Sequence, residues 1–327
     1  MSIFEVTPND KPTHFAQSTG RLVAAGAGQA ETIGPVEGSL SCGSRWTAYV
    51  DLTKPRISTL VLVVVAVAAW SARWGAPDIA PVLHCLLGTA LVAASSGAIN
   101  QWLERKRDGR MRRTKNRPLP SGRLSETEVL VFGAVTLLFG EAYLAIAVNI
   151  TTALLGLATW AVYVAVYTPL KARTPLNTHI GAVSGAMPVL MGWSAVEGVW
   201  DVRAAALFSI LFLWQFPHFM AIAWIYRQEY ARAGMKMLTV VDPSGRRAGR
   251  LAVCSAFALV PVSVLPAFYS PGATFYALGA IVLGVLQLAA AVTFFTSRDD
   301  LSARRLLHAS LIYLPMLLGL LLFMPLI

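Results

Sequence analysis

Charge is what this sequence is short of. Only 13% of its 327 residues are Asp, Glu, Lys or Arg, while 56% are hydrophobic and mean hydropathy is +0.59. Soluble globular domains carry about 25% charged residues, so this balance excludes one and points to a polytopic membrane protein. Cysteine is scarce too. The three are Cys42, Cys85 and Cys254; two sit in apolar runs, and no CxxC or metal-knuckle spacing is present. That speaks against a disulfide framework and against zinc or thiol chemistry. Acidic residues are the scarcer sign, leaving a net charge of +10. In a membrane protein this reflects cytoplasmic loops more economically than nucleic-acid binding, and no nucleic acid is expected. Missing as well is an apolar segment ahead of a cleavage site at the N-terminus, which speaks against a signal peptide. Glu5, Asp10, Glu31 and Glu37 speak against a mitochondrial presequence. Residues 1–45, rich in Gly, Ala, Ser and Thr, read as a disordered cytoplasmic tail, and 46–327 as one membrane domain.

What is there is a series of apolar stretches of spanning length. Nine are expected, near 57–74, 80–103, 127–148, 150–167, 179–197, 204–226, 250–269, 273–296 and 306–326, the third and fourth parted only by a hinge at Asn149. With the N-terminus inside, 25 of the 27 Lys and Arg residues fall on the inner side, all but Arg73 and Arg203. That split follows the positive-inside rule. The reading is an all-α membrane protein of nine transmembrane helices, N-terminus cytoplasmic and C-terminus external. Trp46 and Tyr49 lead into the first span at interfacial depth, with Lys54 and Arg56 at the headgroups.

Asn100, Glu104 and Asp108 stand where the second span ends. Their i, i+4, i+8 spacing puts them on one helical face, each about 40° round from the last. An amide and two carboxylates suit a hard divalent cation, and Mg²⁺ binds through one or two carboxylates together with substrate phosphates. Arg110, Arg112, Arg113, Lys115 and Arg117 follow directly and could receive those phosphates. A basic loop holding two acids by chance is the plainer reading. The spacing, the membrane boundary and a second such loop favour metal–diphosphate binding. In that second loop Glu229 lies among Arg227, Arg232 and Lys236, at the inner end of span six. The loop after span four carries Lys171 and Arg173 between two prolines, and Asn177 with His179 begins the next helix. Gly181, Gly185, Pro188 and Gly192 then give that helix a small-residue surface, for close packing or for a bulky ligand. Trp214, Gln215 and His218 flank Pro217 within span six. Proline weakens the helical ladder there, and polar side chains at membrane depth face the bundle interior. They read as a substrate pocket, with an interhelical hydrogen bond as the alternative for His218.

The segments NxxxExxxDGRMRRTxxRPLPSG, YTPLKARTPLNTHIGAVSGAMPVLMGW and WQFPHFMAIAWxYRQEYxxAGMKML resemble the signature blocks of the protoheme IX farnesyltransferase family, a branch of the UbiA-type intramembrane prenyltransferases. The likeness runs from about Trp46 to the C-terminus. It implies a nine-helix bundle around a central cavity with a lipid-facing portal, in the bacterial inner membrane. It implies farnesyl diphosphate and haem B as substrates, haem O for terminal oxidases as product, and Mg²⁺ as cofactor. An oxidase-assembly factor or a haem A synthase is the candidate protein partner. By position, Asn100, Glu104, Asp108 and Glu229 are the implied metal ligands. Arg112, Arg113, Lys115, Arg117, Lys171, Arg173 and Arg232 are the implied diphosphate contacts. Trp214, Gln215, His218 and Asn177 are the implied haem and prenyl pocket, with His218 the candidate for binding the iron or positioning water. Aromatic candidates for the chamber wall are Trp102, Trp160, Tyr163, Trp193, Trp214 and Phe216. Glu104 stands where the superfamily usually has Asp, and the second block has one clear acid rather than two, which implies an asymmetric metal site. The nearest alternative is a UbiA-type enzyme acting on a quinone precursor or another tetrapyrrole. A transporter for an anionic lipid would carry ionisable groups along a path through the membrane, whereas here they crowd the inner face.

Overall fold

The computed structural model describes residues 42–74, 76–269 and 273–323, and among these no strand occurs. Among the described residues a helix α1 (Cys42–Leu52) precedes nine helices long and apolar enough to span a membrane. They are α2 (Pro55–Ala72), α3 (Ile79–Asp108), α4 (Glu126–Ala147), α5 (Ile150–Leu170), α6 (Asn177–Val196), α7 (Val202–Ile225), then, beyond two short helices α8 (Arg227–Arg232) and α9 (Leu238–Val241), α10 (Arg246–Tyr269), α11 (Ala273–Ser297) and α12 (Asp300–Phe323). α1 begins at Cys42, a few residues before the expected boundary at 46. Residues 1–41 of the expected tail, and the C-terminus at Ile327, lie outside the described residues.

Side-chain caps start several of the helices. Ser125 and Glu128 close a reciprocal capping box on α4, and Asp201 accepts from the backbone of Arg203 and Ala204 to start α7. Asn149 is a true break: its side chain accepts from Thr152 N at 2.8 Å and caps α5. Two helices outrun their apolar windows. α12 begins at Asp300 rather than near 306. α3 runs on to Asp108, which keeps Asn100, Glu104 and Asp108 on one continuous helix.

α3 packs along α4, α2 along α6, α10 along α11, and α7 against α6, α10 and α12. At Gly192 a Cβ would come 2.2 Å from the Val65 carbonyl oxygen, so the α2–α6 contact is backbone against backbone and only glycine fits. The loops sort to two ends. Lys236 N donates to Lys171 O at 2.7 Å, Arg113 N to Glu229 Oε2 at 3.3 Å, and Arg227 pairs with Asp300 at 2.7 Å. These contacts join the loops after spans two, four, six and eight. Arg73 pairs with Glu197 at 3.2 Å, and Arg203 lies over Trp74 and Trp193, joining loops after odd-numbered spans. Nine alternating crossings require this sorting.

Candidate active site

The inner end of α3 turns its polar face into the bundle. Asn100, Glu104 and Asp108 are 1%, 3% and 0% exposed, and burial at that level demands compensation. Each finds it. Lys171 Nζ lies 3.0 Å from Glu104, and Arg117 Nη1 donates to Asp108 Oδ2 at 2.7 Å. Asn100 Nδ2 donates to Glu104 Oε2 at 3.2 Å and to Thr168 Oγ1 at 2.9 Å. Its Oδ1 accepts from Lys54 Nζ, which also reaches the Tyr163 hydroxyl at 3.5 Å.

Local structure explains why these groups converge. The Thr114 hydroxyl donates to the Asp108 carbonyl at 2.9 Å, satisfying an orphan acceptor at the α3 terminus and curling the chain so that Arg117 returns to Asp108. In α5, Val162–Tyr167 is a π-helical turn, a feature that recurs at functional sites. It is closed by the Thr168 hydroxyl on the Tyr163 carbonyl at 2.9 Å. The turn presents Tyr163 and Tyr167, and Lys171 Nζ sits 4.6 Å over the Tyr167 ring. Gly181 makes room for that ring, since a Cβ there would come within 2.7 Å of it. Lys54 holds a left-handed φ of 50° just before Pro55 starts α2. That turn directs its chain inward, away from the headgroup position expected for it.

The two lysines differ electrostatically. Burial, with Arg117 and Lys171 nearby, lowers Lys54 from 10.5 to about 7. Burial alone would lower Lys171 too, but the Glu104 carboxylate outweighs it and holds Lys171 above the ordinary lysine range.

A cavity of about 520 Å³ lies in the bundle beside this cluster, meeting it at Lys54 and Tyr163 while Asn100, Glu104, Asp108, Arg117 and Lys171 stay outside its lining; its volume is within the roughly 300–1,000 Å³ usual for ligand sites. Lys54, Tyr163 and Tyr167 line its charged end; Trp214, Gln215, His218 and Phe219 line its far end. Ile57, Leu60 and Leu311 belong to its wall and are also exposed, so it opens beside α2 and α12 toward the lipid side. His218 Nδ1 is 2.9 Å from Ser310 Oγ, and its ring stacks on Trp214 at 5.0 Å. Gln215 lines the wall but is tethered, donating to the carbonyls of Ala182 and Leu211.

Other expected residues fall elsewhere. Asn177 is absent from the cavity wall; it donates to Thr174 O at 2.7 Å and Lys236 O at 3.2 Å, tying two loops together. Glu229, expected as a metal ligand, instead accepts from the backbone of Arg113, whose side chain reaches the Tyr230 hydroxyl at 3.3 Å. Among the described residues no three of His, Cys, Asp and Glu cluster as a metal site. Arg112, Lys115, Arg173 and Arg232 are exposed. Of the six aromatic candidates Tyr163 and Trp214 line the cavity. Trp102 bonds Glu126, Trp160 bonds Ser95, Trp193 packs under Arg203, and Phe216 packs against His179 with the rings tilted by 53°.

Oxygen donors for a hard cation remain in place. Asp108 Oδ1 is buried without a hydrogen-bond partner, an expensive state unless another ligand takes it. With Glu104 and Asn100 it forms a set of two carboxylates and an amide, leaving further coordination to a phosphate-bearing substrate.

Residues 61–319 match the profile of the UbiA prenyltransferase family. A protoheme IX farnesyltransferase of Solibacter usitatus is 42% identical over 283 residues, covering 84% of this chain and 97% of that protein. Among solved structures, one from work on digeranylgeranylglyceryl phosphate synthase superimposes with a TM-score of 0.73 at 16% identity, covering 86% of this chain and 98% of the other. A UbiA homologue from Archaeoglobus fulgidus bound to GPP and Mg²⁺ gives 0.57 at 17% identity, covering 84% and 99%.

Proposed function

This chain belongs to the UbiA prenyltransferase family, and from that premise we propose that it transfers the farnesyl group of farnesyl diphosphate to a vinyl group of haem B, with addition of water, giving haem O and diphosphate. The observation that carries this reading is a cavity that reaches from Lys54, beside the charged cluster, to an uncharged end beside His218. It suits one substrate with an anionic head and another that is a broad apolar macrocycle.

The chemistry asks for little covalent participation from the protein. Cleavage of the allylic C–O bond leaves negative charge on the departing diphosphate, and Lys171, Arg117 and Lys54 are the cations close by to neutralise it. The vinyl carbon then bonds farnesyl C1. Water captures the cation left on the porphyrin side chain and releases its proton. Tyr163, Tyr167 and Trp214 offer ring faces to the cationic carbon and keep bulk water out. Asn100, Glu104 and Asp108 would hold Mg²⁺. When bound there it supplies Lewis-acid neutralisation of the leaving diphosphate. Their present partners, Lys171 and Arg117, would then turn from the carboxylates to the phosphates. Glu229, through the Arg113 backbone, positions the basic loop rather than the metal. His218 is the group that meets the haem.

The chain is a multi-pass membrane protein; the 25-to-2 division of its basic residues supports a cytoplasmic N-terminus in a bacterial inner membrane. Cysteine-accessibility labelling should find positions near Arg113, Lys171 and Arg232 on the side opposite Arg203. For the reaction, purified protein given haem B, farnesyl diphosphate and Mg²⁺ should yield haem O and diphosphate in equal amounts by mass spectrometry and phosphate assay. Prenylation of a quinone precursor but not of haem B would overturn the assignment.

A further inference from the structure

His218 is held by a residue nearly a hundred positions away. Ser310 on α12 is fully buried, and its hydroxyl donates to the Leu307 carbonyl at 2.6 Å. With its proton committed there, Ser310 Oγ can only accept from His218 Nδ1, 2.9 Å away. Nδ1 therefore carries the hydrogen, and in the neutral ring the lone pair is left on Nε2. Nε2 makes no hydrogen bond among the described residues, and His218 lines the cavity. Ser310 also fixes the ring beneath. Its carbonyl accepts from Trp214 Nε1 at 2.8 Å, and Trp214 stacks on the imidazole, the planes inclined by 22°. One residue thus sets the tautomer of His218 through its hydroxyl and the stacking platform through its backbone.

We infer that Ser310 is a positioning residue that locks His218 in the Nδ1-protonated tautomer, so that Nε2 ligates the iron of the haem substrate. This rests on the reading of His218 as the haem-facing side chain. A role for Nε2 as general base is less well served. The neighbours of His218 are Ser310, Trp214 and Phe219, none of which carries a charge to offset an imidazolium. Metal-bound histidines, by contrast, donate their second ring N–H to just such an outer partner, whose loss typically costs about 10–100-fold in affinity.

The test is haem titration of the full-length protein in detergent, read by absorption and by electron paramagnetic resonance of the ferric state, with farnesyl diphosphate affinity measured on each sample as a check of the fold. Wild type should give an imidazole-ligated spectrum. Ser310→Ala should weaken haem binding by about 10–100-fold and lose or shift that signature while diphosphate affinity holds. Ser310→Thr, which keeps the acceptor oxygen, should restore it. Where Ser310→Ala does not fold, Ser310→Cys, a much weaker acceptor, takes its place with the same expectation. If His218→Ala keeps the wild-type spectrum, the haem-facing reading of His218 is lost and this inference with it. If His218→Ala loses the signature but the Ser310 variants do not, Ser310 alone is refuted and His218 stands.

Discussion

Beside the inner end of the cavity the buried acids each face a cation: Glu104 meets Lys171, Asp108 meets Arg117, and Lys54, which lines the cavity, joins them through Asn100. At the far end the hydrogen-bond and ring partners of His218 among the described residues are Ser310, Trp214 and Phe219, all uncharged. Both ends bury polar groups, but they do it differently. The inner end balances full charges against one another, which leaves strong, redirectable electrostatics once an anionic substrate arrives. The far end satisfies a neutral ring with a single directed hydrogen bond, which fixes orientation without creating a field. The contrast explains how one cavity can receive an anion and an apolar macrocycle without either competing for the other's place.

The largest expected effect falls at the inner end. Asp108→Asn removes the carboxylate whose Oδ1 lacks a partner, and should lower turnover about 100-fold or more while the protein remains folded in detergent. Glu104→Asp keeps the ligand type and should retain substantial activity. Turnover that survives complete chelation of divalent cations would break the metal half of the comparison.

Stability should feel the charge balance next. Arg117→Gln strands the buried Asp108 carboxylate, and breaking a fully buried pair costs about 3–5 kcal/mol. Arg117 is 27% exposed, so a loss of roughly 1–3 kcal/mol is expected, seen as a lower melting temperature in detergent. Asp108→Asn with Arg117→Gln should cost less than the two single losses together. Strict additivity would mean that the pair is not coupled. No such coupling is expected between Arg117 and Ser310.

A smaller effect follows from Lys54. Its folded value, about 7, lies below the ordinary 10.5, so the folded protein holds fewer protons between those values and the cost of burying the ammonium is relieved as pH rises through that window. Binding runs the other way. As pH climbs through 7 the free enzyme loses a cation at the diphosphate end, and affinity for farnesyl diphosphate should weaken several-fold. Lys54→Met should lack that inflection, and haem binding should show none in either protein. An unchanged profile in Lys54→Met would remove Lys54 from the diphosphate site.

Much of the inner end was legible in the sequence because its signals are local. Asn100, Glu104 and Asp108 repeat every four residues on a single helix, and the basic residues cluster beside them. The nine spans follow from hydropathy, and the sorting of the loops from charge. What escaped depends on backbone geometry or on distant partners. Lys54 enters the site because its φ is left-handed ahead of Pro55, whereas its sequence neighbours suggest only a membrane boundary. Tyr167 and Thr168 owe their roles to a π-helical turn that no pattern of apolar residues marks. Ser310 is one of three hydroxyl-bearing residues on its helix, 92 positions from His218, with no local feature to pair them. Glu229 shows a different limit. An acid among bases at a helix end looks alike whether it binds a metal or accepts from a backbone N–H, and only the fold shows it accepting from Arg113.

The division of labour between the two ends is tested most directly by measuring the affinities of farnesyl diphosphate and of haem B, separately, in Lys171→Met and in His218→Ala. The account predicts crossed outcomes. Lys171→Met should weaken farnesyl diphosphate about tenfold or more and leave haem binding near wild type, and His218→Ala should weaken haem and leave farnesyl diphosphate unchanged. Both variants weakening both ligands alike, or His218→Ala weakening farnesyl diphosphate alone, would contradict it.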